Sequence, residues 1–307
     1  MYKGISYGLY YDSDRCRVSV DNIRLKFVYK YQRYSWEKGF SVLSIDSIST
    51  TIDNLMFIFP DFDWQWSYKD FFKIGAYCRT CRVSGLDWSF ALLFGRYTYD
   101  SACRNVAPEV IFDYNPNKVP ANVIQQFLLI LQDRAMSCDL VRFDVAFDFP
   151  VSRDNVFFVR SSDSRRVYRL FDDGGAVTEY EGARASHGAI KVYDKTLESG
   201  LSVPVSRCEI TVSGGKVDAL PSLFPRMYSF SGYQSDFQFY ALPFQVRACV
   251  IHPDLLDDML AGCSRNTRKK YLALLDGLDK CLLSVSDWAS VLVFLHSALK
   301  SYSEVRL

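Results

Sequence analysis

Between residues 141 and 212, apolar and polar side chains alternate with a period of two in three short runs. Successive side chains of a β-strand point to opposite faces, so each run predicts a strand with one apolar and one polar side. Along Val141–Phe149, Phe143, Val145 and Phe147 share one face, and Asp144, Ala146 and Asp148 share the other. Along Ala189–Lys195, Lys191, Tyr193 and Lys195 lie opposite Val192. Along Arg207–Val212, Arg207, Glu209 and Thr211 lie opposite Cys208, Ile210 and Val212. If the three strands neighbour one another, one face packs while the other gathers acids, a tyrosine and bases.

The rest of the chain fills in around these runs. Residues 1–60 alternate short aromatic stretches with polar breaks at Asp12–Arg15 and Asp21–Asn22, which predicts strands and hairpins, with a short helix in Ser44–Asn54. Strands are expected at AYCRTCRVS, WSFALLFGRY and PEVIFDYNP, the last ending in the turn signal Asn115-Pro116-Asn117-Lys118. Ala121–Cys138 turns helical, with Val123, Phe127, Ile130, Leu131 and Met136 tracking one side. Residues 216–251 read as helix or loop followed by a strand at FQVRACVI. Helices follow at Asp254–Ala261, Thr267–Leu283 and Ser286–Tyr302. The expected class is α+β: a largely antiparallel sheet with packed helices and a helical C-terminal region. It divides into a β-rich part (1–120), a catalytic part of the same sheet (121–215) and a mostly helical part (216–307).

Composition changes this picture little. At 307 residues, 49% hydrophobic and 23% charged, the chain reads as a soluble globular protein. A net charge of +1 means that any nucleic-acid surface must be a local patch. Aromatic residues at 16% are first explained by half-buried strands, and a base-stacking surface can coexist with them. Nine scattered cysteines without a secretion signal indicate free thiols in a reducing compartment, and no apolar run reaches membrane-spanning length. A cytoplasmic location is expected.

Several chemistries find little support. Cys78-x-x-Cys81 lacks the further ligands that a structural zinc site needs. The three histidines, His187, His252 and His296, form neither a His-x-His nor a His-Glu-x-x-His pattern, and no phosphate-binding P-loop occurs. The carboxylates are better candidates. Asp144 and Asp148 stand roughly 13 Å apart on one strand at about 3.3 Å per residue, so Asp144 with Glu209 is the more economical pair for a hard divalent cation such as Mg²⁺ or Mn²⁺. The same acids would equally serve in a structural network with Arg142 and Arg207. Tyr193 stands between Lys191 and Lys195, cations that favour a phenolate and would also neutralise a phosphate. The basic run Arg265-Asn266-Thr267-Arg268-Lys269-Lys270 opens a predicted helix, where phosphates suit both the charges and the helix end. Arg24–Lys38 is a second basic-aromatic stretch suited to single-stranded DNA or to a plain core hairpin.

At VRFDVAFDF (141–149), TEYEGARASHGAIKVYDKTLE (178–198) and SRCEI (206–210) the sequence resembles the Rep-trans family of rolling-circle replication initiators, found on plasmids and filamentous phages. APEVIFDYNPNK (107–118) looks like the strand and turn before the helix in phage-type members. The resemblance covers about 107–212 and is loose elsewhere. It implies a metal-dependent nickase and strand transferase. Tyr193 matches the nucleophile, Asp144 and Glu209 the metal-holding acids with Asp148 a weaker third, and Lys195 the lysine that steadies phosphate or phenolate. Arg184 and Ser186 would hold the DNA backbone, with Lys191 beside them. The family's Gly-Ser-Arg is Gly182-Ala183-Arg184 here, and Tyr180 is a rival nucleophile. The implied partners are origin DNA, duplex and single-stranded; a host helicase and a second copy of the chain are further candidates. Two other classes stand beside this one: a sequence-specific DNA-binding protein of the same fold without nicking, and a structural protein whose acid–arginine pairs are only salt bridges.

Overall fold

The structure, a computed structural model, describes residues 10–12, 15–29, 33–35, 41–43, 54–68, 77–100, 103–133, 135–158, 167–172, 177–229, 242–251, 255–280 and 282–303. The class is α+β. In chain order the strands are β1 (Tyr10–Asp12), β2 (Arg17–Tyr29), β3 (Arg33–Ser35), β4 (Ser41–Leu43), β5 (Asp63–Tyr68), β6 (Tyr77–Ser84), β7 (Ser89–Asp100) and β8 (Cys103–Tyr114). After helix α1 (Ala121–Gln132) come β9 (Ala135–Phe149), β10 (Val156–Phe158), β11 (Tyr168–Asp172), β12 (Val177–Glu181) and β13 (Ile190–Asp194). Helix α2 (Lys195–Ser199), β14 (Ser206–Ser213), α3 (Leu220–Leu223) and β15 (Met227–Ser229) follow. The chain then continues through α4 (Phe244–Ile251), α5 (Leu256–Ala261), α6 (Arg265–Lys280), β16 (Leu282–Leu283) and α7 (Trp288–Ser303).

Among the described residues, one antiparallel sheet dominates, ordered β11-β12-β13-β14-β9-β2-β8-β7-β6-β5, with β1 on β2. The predicted trio is thus contiguous as β13-β14-β9. Strand β2, far away in sequence, continues the sheet beside β9. Phe143, Val145, Phe147, Cys208, Ile210, Val212 and Val192 are buried on one face, as their alternation requires. That face carries the helices. Phe127 of α1 stacks on Phe59 at 4.8 Å between ring centroids and meets Phe90 edge-on at 4.7 Å. Trp288 at the start of α7 meets Phe147 at 5.8 Å, and Val291, Leu295 and Leu299 bury the rest of that helix. Each buried phenylalanine ring contributes on the order of 2–3 kcal/mol from area removed from water. The opposite face keeps the polar groups.

Three local expectations are corrected. The helix after Asn115–Lys118 stops at Gln132, and the chain is already strand at Ala135, so Met136 lies 64% exposed instead of joining the helix core. FQVRACVI is helix α4 and not a strand: Val246 and Cys249, three residues apart, are its buried side, a helical spacing within a short apolar run that also suits a strand. Asp21–Asn22 is no break between strands. It is a β-bulge inside β2, where the pairing with β9 shifts between Val20 and Asn22. Val18 and Val20 are buried before it, and Ile23, Leu25 and Phe27 after it. The extra residue moves the buried set from even to odd numbers while keeping it on the same face. Of the helix expected at Ser44–Asn54, residues 44–53 lie outside the described residues, and 54–58 are helical.

Candidate active site on the polar face

Strand register brings the predicted side chains together. Lys191 lies opposite Glu209, and Tyr193 opposite Arg207. On the other edge of β14, Arg207 lies opposite Asp148, Glu209 opposite Ala146 and Thr211 opposite Asp144. Asp144 and Glu209 are therefore diagonal neighbours, with Cα atoms on the order of 7–8 Å apart, close enough for the longer glutamate to converge with the aspartate.

Tyr193 donates its hydroxyl hydrogen bond to Glu209 Oε1 at 2.5 Å. Lys191 Nζ lies 3.6 Å from Glu209 Oε2 and 3.7 Å from the centroid of the Tyr193 ring. Burial, and after it the Asp21 charge, push Glu209 up to about 7, against the opposing pull of Lys191, the Tyr193 hydroxyl and Arg207. Tyr193 is only 4% exposed. Burial first and Glu209 second hold its phenol well above the ordinary tyrosine value. The expectation that neighbouring lysines favour a phenolate is thus overturned: desolvation disfavours the anion more than the cations favour it.

Arg207 is the hub beneath this pair. It grips Asp148 with two hydrogen bonds, Nε to Oδ1 at 2.5 Å and Nη2 to Oδ2 at 2.6 Å, and gives Nη1 to Asp21 at 3.1 Å. Those acids hold the guanidinium well above its ordinary value although burial works the other way. Both Asp148 oxygens are spent on arginine, so Asp148 behaves as a structural partner and not as a third metal acid.

A cleft of about 280 Å³ opens beside the pair, lined by Asp144, Glu209, Lys191, Tyr180, Arg184 and Arg142 among others. Two buried atoms on its wall have no hydrogen-bond partner, Oδ1 of Asp144 and Nε of Arg142. Asp144 is held above its ordinary value, chiefly by burial, against a hydrogen bond with Thr211 and the charge of Arg142. An unpaired carboxylate oxygen is chemically suited to a cation, and an unpaired guanidinium N–H to an anion. The fit to a hard divalent ion is good but partial. Among the described residues no three His, Cys, Asp or Glu side chains form a metal cluster. Two carboxylates completed by water and phosphate oxygens suit Mg²⁺ or Mn²⁺.

The remaining predicted residues fall into two groups. Arg184 and Lys191 reach the cleft. Lys195 stands just past the strand: β13 ends at Asp194, whose carboxylate caps α2 by accepting from Leu197 N at 3.0 Å, and Lys195 is the first residue of that helix. Its buried ammonium pairs with Glu198 and lies 6.0 Å from the Tyr193 ring centroid. Ser186 closes a turn on Ala183, hydroxyl to carbonyl at 2.5 Å, and so is turned to its own loop. Arg265, Lys269 and Lys270 are exposed at the start of α6, capped by Ser264, while Arg268 donates to the Leu260 carbonyl at 2.8 Å and ties α6 to α5. Cys81 is buried with its thiol pushed up to about 12 by burial and Asp63, unlike a zinc ligand; the side chain of Cys78 lies outside the described residues. His187 accepts from Ser213 N at 3.3 Å, a loop tie.

Two further residues belong to the site. Asp21 reads as a loop break in the sequence; the phase slip in the apolar pattern from Val18 and Val20 to Ile23 and Leu25 is the signal that marks its bulge. Arg142, a salt-bridge partner by sequence, shares the polar face with Asp144 on β9 and lines the cleft.

No family model matches the sequence, and no curated protein does. Among solved structures, the chain is similar to the rolling-circle replication initiator protein from Geobacillus stearothermophilus, at 17% identity and a TM-score of 0.32, over 66% of this chain and 76% of that one. No helix among the described residues is long and apolar enough to cross a membrane.

Proposed function

We propose that this protein is a rolling-circle replication initiator that nicks origin DNA with Tyr193. The observation that carries the reading is the Tyr193–Glu209 hydrogen bond at the margin of a cleft holding Asp144, Arg142, Arg184 and Lys191. The Rep-trans resemblance supplies the reaction, and the geometry supplies a proton acceptor and phosphate-binding cations in reach of one another.

In this reading the Tyr193 oxygen attacks a backbone phosphorus and its proton passes to Glu209. The phosphorus–O3′ bond breaks, and the departing oxygen takes up a proton to leave a 3′-OH primer. The 5′-phosphate stays on tyrosine, so the bond can be resealed without ATP. Glu209 Oε1, which already accepts the hydrogen bond of the Tyr193 hydroxyl, is placed to act as the general base. Arg184 and Lys191 offset charge on the phosphate oxygens. Asp144 and Glu209 would hold Mg²⁺ or Mn²⁺, which supplies Lewis-acid polarisation of the phosphate when bound. Arg207, fixed by Asp148 and Asp21, positions Glu209, with its Nη1 3.9 Å from that carboxylate.

A second reading has one observation in its favour: Tyr180, not Tyr193, lines the cleft directly. The test is incubation of the purified chain with supercoiled DNA carrying its own replicon and Mn²⁺. The expected result is a nick with DNA attached at Tyr193, abolished in Tyr193→Phe and kept in Tyr180→Phe. The reverse pattern would assign the reaction to Tyr180. Specific binding with no nick at all would leave a DNA-binding protein of this fold. Host helicase recruitment and pairing with a second copy belong to the same proposal and are read by pull-down and by mass in solution.

A further inference from the structure

The polar face continues past the cleft. One line of register-matched residues crosses seven strands: Ser213 opposite Arg142, Arg142 opposite Arg24, Arg24 opposite Asp113, Asp113 opposite Ala91, Ala91 opposite Arg82, and Arg82 opposite Gln65. With strands about 4.8 Å apart, Arg142 and Arg82 are separated by roughly 19 Å across the sheet. Asp113 is the carboxylate of this line, and three arginines outnumber it. Arg24 pairs with it, while Arg142 stands 4.0 Å off and keeps a buried unpaired Nε at the cleft. At the far end, a basin of about 600 Å³ opens over β5, β6 and β7. Its wall includes Asp113, so cleft and basin meet across the Arg24–Asp113–Arg142 group. Exposed Arg82, Gln65 and Ser67, with half-buried Thr80, give the basin a cation together with amide and hydroxyl groups. Arg82 Nη2 donates to Ser89 Oγ at 3.1 Å, and the Ser67 and Thr80 hydroxyls bond each other.

We propose that this basin is a second nucleotide subsite, holding single-stranded DNA that runs from the cleft along Arg142 and Arg24 to Arg82. The inference rests on the reading of the cleft as a DNA-nicking site. A phosphodiester backbone is the occupant that an excess of guanidinium groups on an open sheet favours, because each cation that meets a phosphate releases a counterion. The polar groups of the basin are those that hydrogen-bond to base edges. A single strand can follow a line of cations one residue broad and present its bases to polar groups beside it.

The test is binding of a fluorescein-labelled oligothymidylate to the full chain, followed by anisotropy without divalent metal over a range of salt. Arg82→Gln is expected to weaken binding about threefold to tenfold and to reduce the slope of log affinity against log salt by about 0.7, the share of one phosphate contact on a single strand. Ala91→Glu, which sets a second negative charge beside Asp113, is expected to weaken binding about tenfold or more, and Arg82→Lys to keep the wild-type slope. Thermal melting confirms that each variant is folded. Wild-type affinity and slope in both Arg82→Gln and Ala91→Glu would overturn the subsite. Wild-type nicking is assayed separately. If it is absent while the variants still lose affinity, the nickase reading fails and the subsite stands; if it is present while they bind normally, the subsite fails alone.

Discussion

Tyr193 and Glu209 are joined by a hydrogen bond of 2.5 Å, although in register Tyr193 faces Arg207 and Glu209 faces Lys191. The diagonal contact leaves Arg207 free to bind the acids beneath and Lys191 free to lie over the ring. It makes the phenol and its acceptor one unit. Glu209→Gln should keep the fold and lower the nicking rate by about 10²–10⁴, the usual worth of a positioned general base, whereas Tyr193→Phe should leave none. Single-turnover cleavage of a labelled origin strand measures both. A Gln variant that nicks at the wild-type rate would remove Glu209 from the chemistry.

The same carboxyl links stability to pH. Its ordinary value is 4.5, and burial raises it to about 7 in the folded protein. The folded state therefore binds this proton more tightly than the unfolded chain does. Stability from it is fully present below about 4.5 and is lost as pH rises through about 7. Melting curves from pH 8 to pH 5 should show the wild type gaining on Glu209→Gln as the solution acidifies. A difference that stays constant with pH would contradict the assignment.

Asp144 and Asp148 should behave differently despite lying on one strand and one face. Asp148→Ala strips the buried Arg207 of its bidentate partner and should cost about 3–5 kcal/mol of stability, visible as a large fall in melting temperature. Asp144→Ala removes a carboxylate that already lacks one hydrogen bond, so it should cost little stability while abolishing the Mn²⁺ response of cleavage. Equal destabilisation by the two would make both acids structural.

Gly214 ends the run where β14 meets β9. A Cβ there would stand 1.6 Å from the Leu140 carbonyl oxygen, a backbone atom with no way to yield, and Gly214 N donates to Val141 O at 2.8 Å. Gly214→Ala should cost about 2–4 kcal/mol, at the high end for a single methyl. Because this junction fixes which residues of β14 and β9 face each other, nicking should fall along with stability. Denaturant unfolding decides the first point.

Cys81 offers a check on the cysteine pair. Its thiol, 1% exposed and pushed up to about 12, should resist alkylation of the native chain at pH 8 and react after denaturation. Rapid native labelling, assigned by peptide mass, would show an accessible thiolate and reopen the metal reading.

How much of this was legible in the sequence follows from the physics of each element. Period-two alternation in 141–149 and 207–212 was enough to place Asp144, Asp148, Arg207 and Glu209 on one face, because a buried opposite face pins the phase of each strand. Alternation says nothing about which acid meets which base. That depends on the register of β14 against β9, which sets Arg207 opposite Asp148, so a carboxylate that reads as a weaker metal acid is claimed by an arginine on the next strand. Lys195 was placed on the strand because its parity was right; a cap formed by Asp194 ended the strand one residue sooner. Val246 and Cys249 show the opposite limit, since a short apolar run fits helix and strand alike.

The bulge at Asp21 also has a consequence for length. Arg17 and Ser19 precede it and Arg24 follows it on the polar face, while the buried residues change from even to odd numbers across it. Removing Asp21 would close the pairing from Val20–Val145 straight to Asn22–Asp144 and leave Val18, Val20, Ile23, Leu25 and Phe27 alternating on one face. The core therefore does not need the extra residue. What would go is the carboxylate that meets Arg207 Nη1 at 3.1 Å. The added length serves the polar face, and a single-codon deletion there should spare the fold while loosening the arginine beside Glu209.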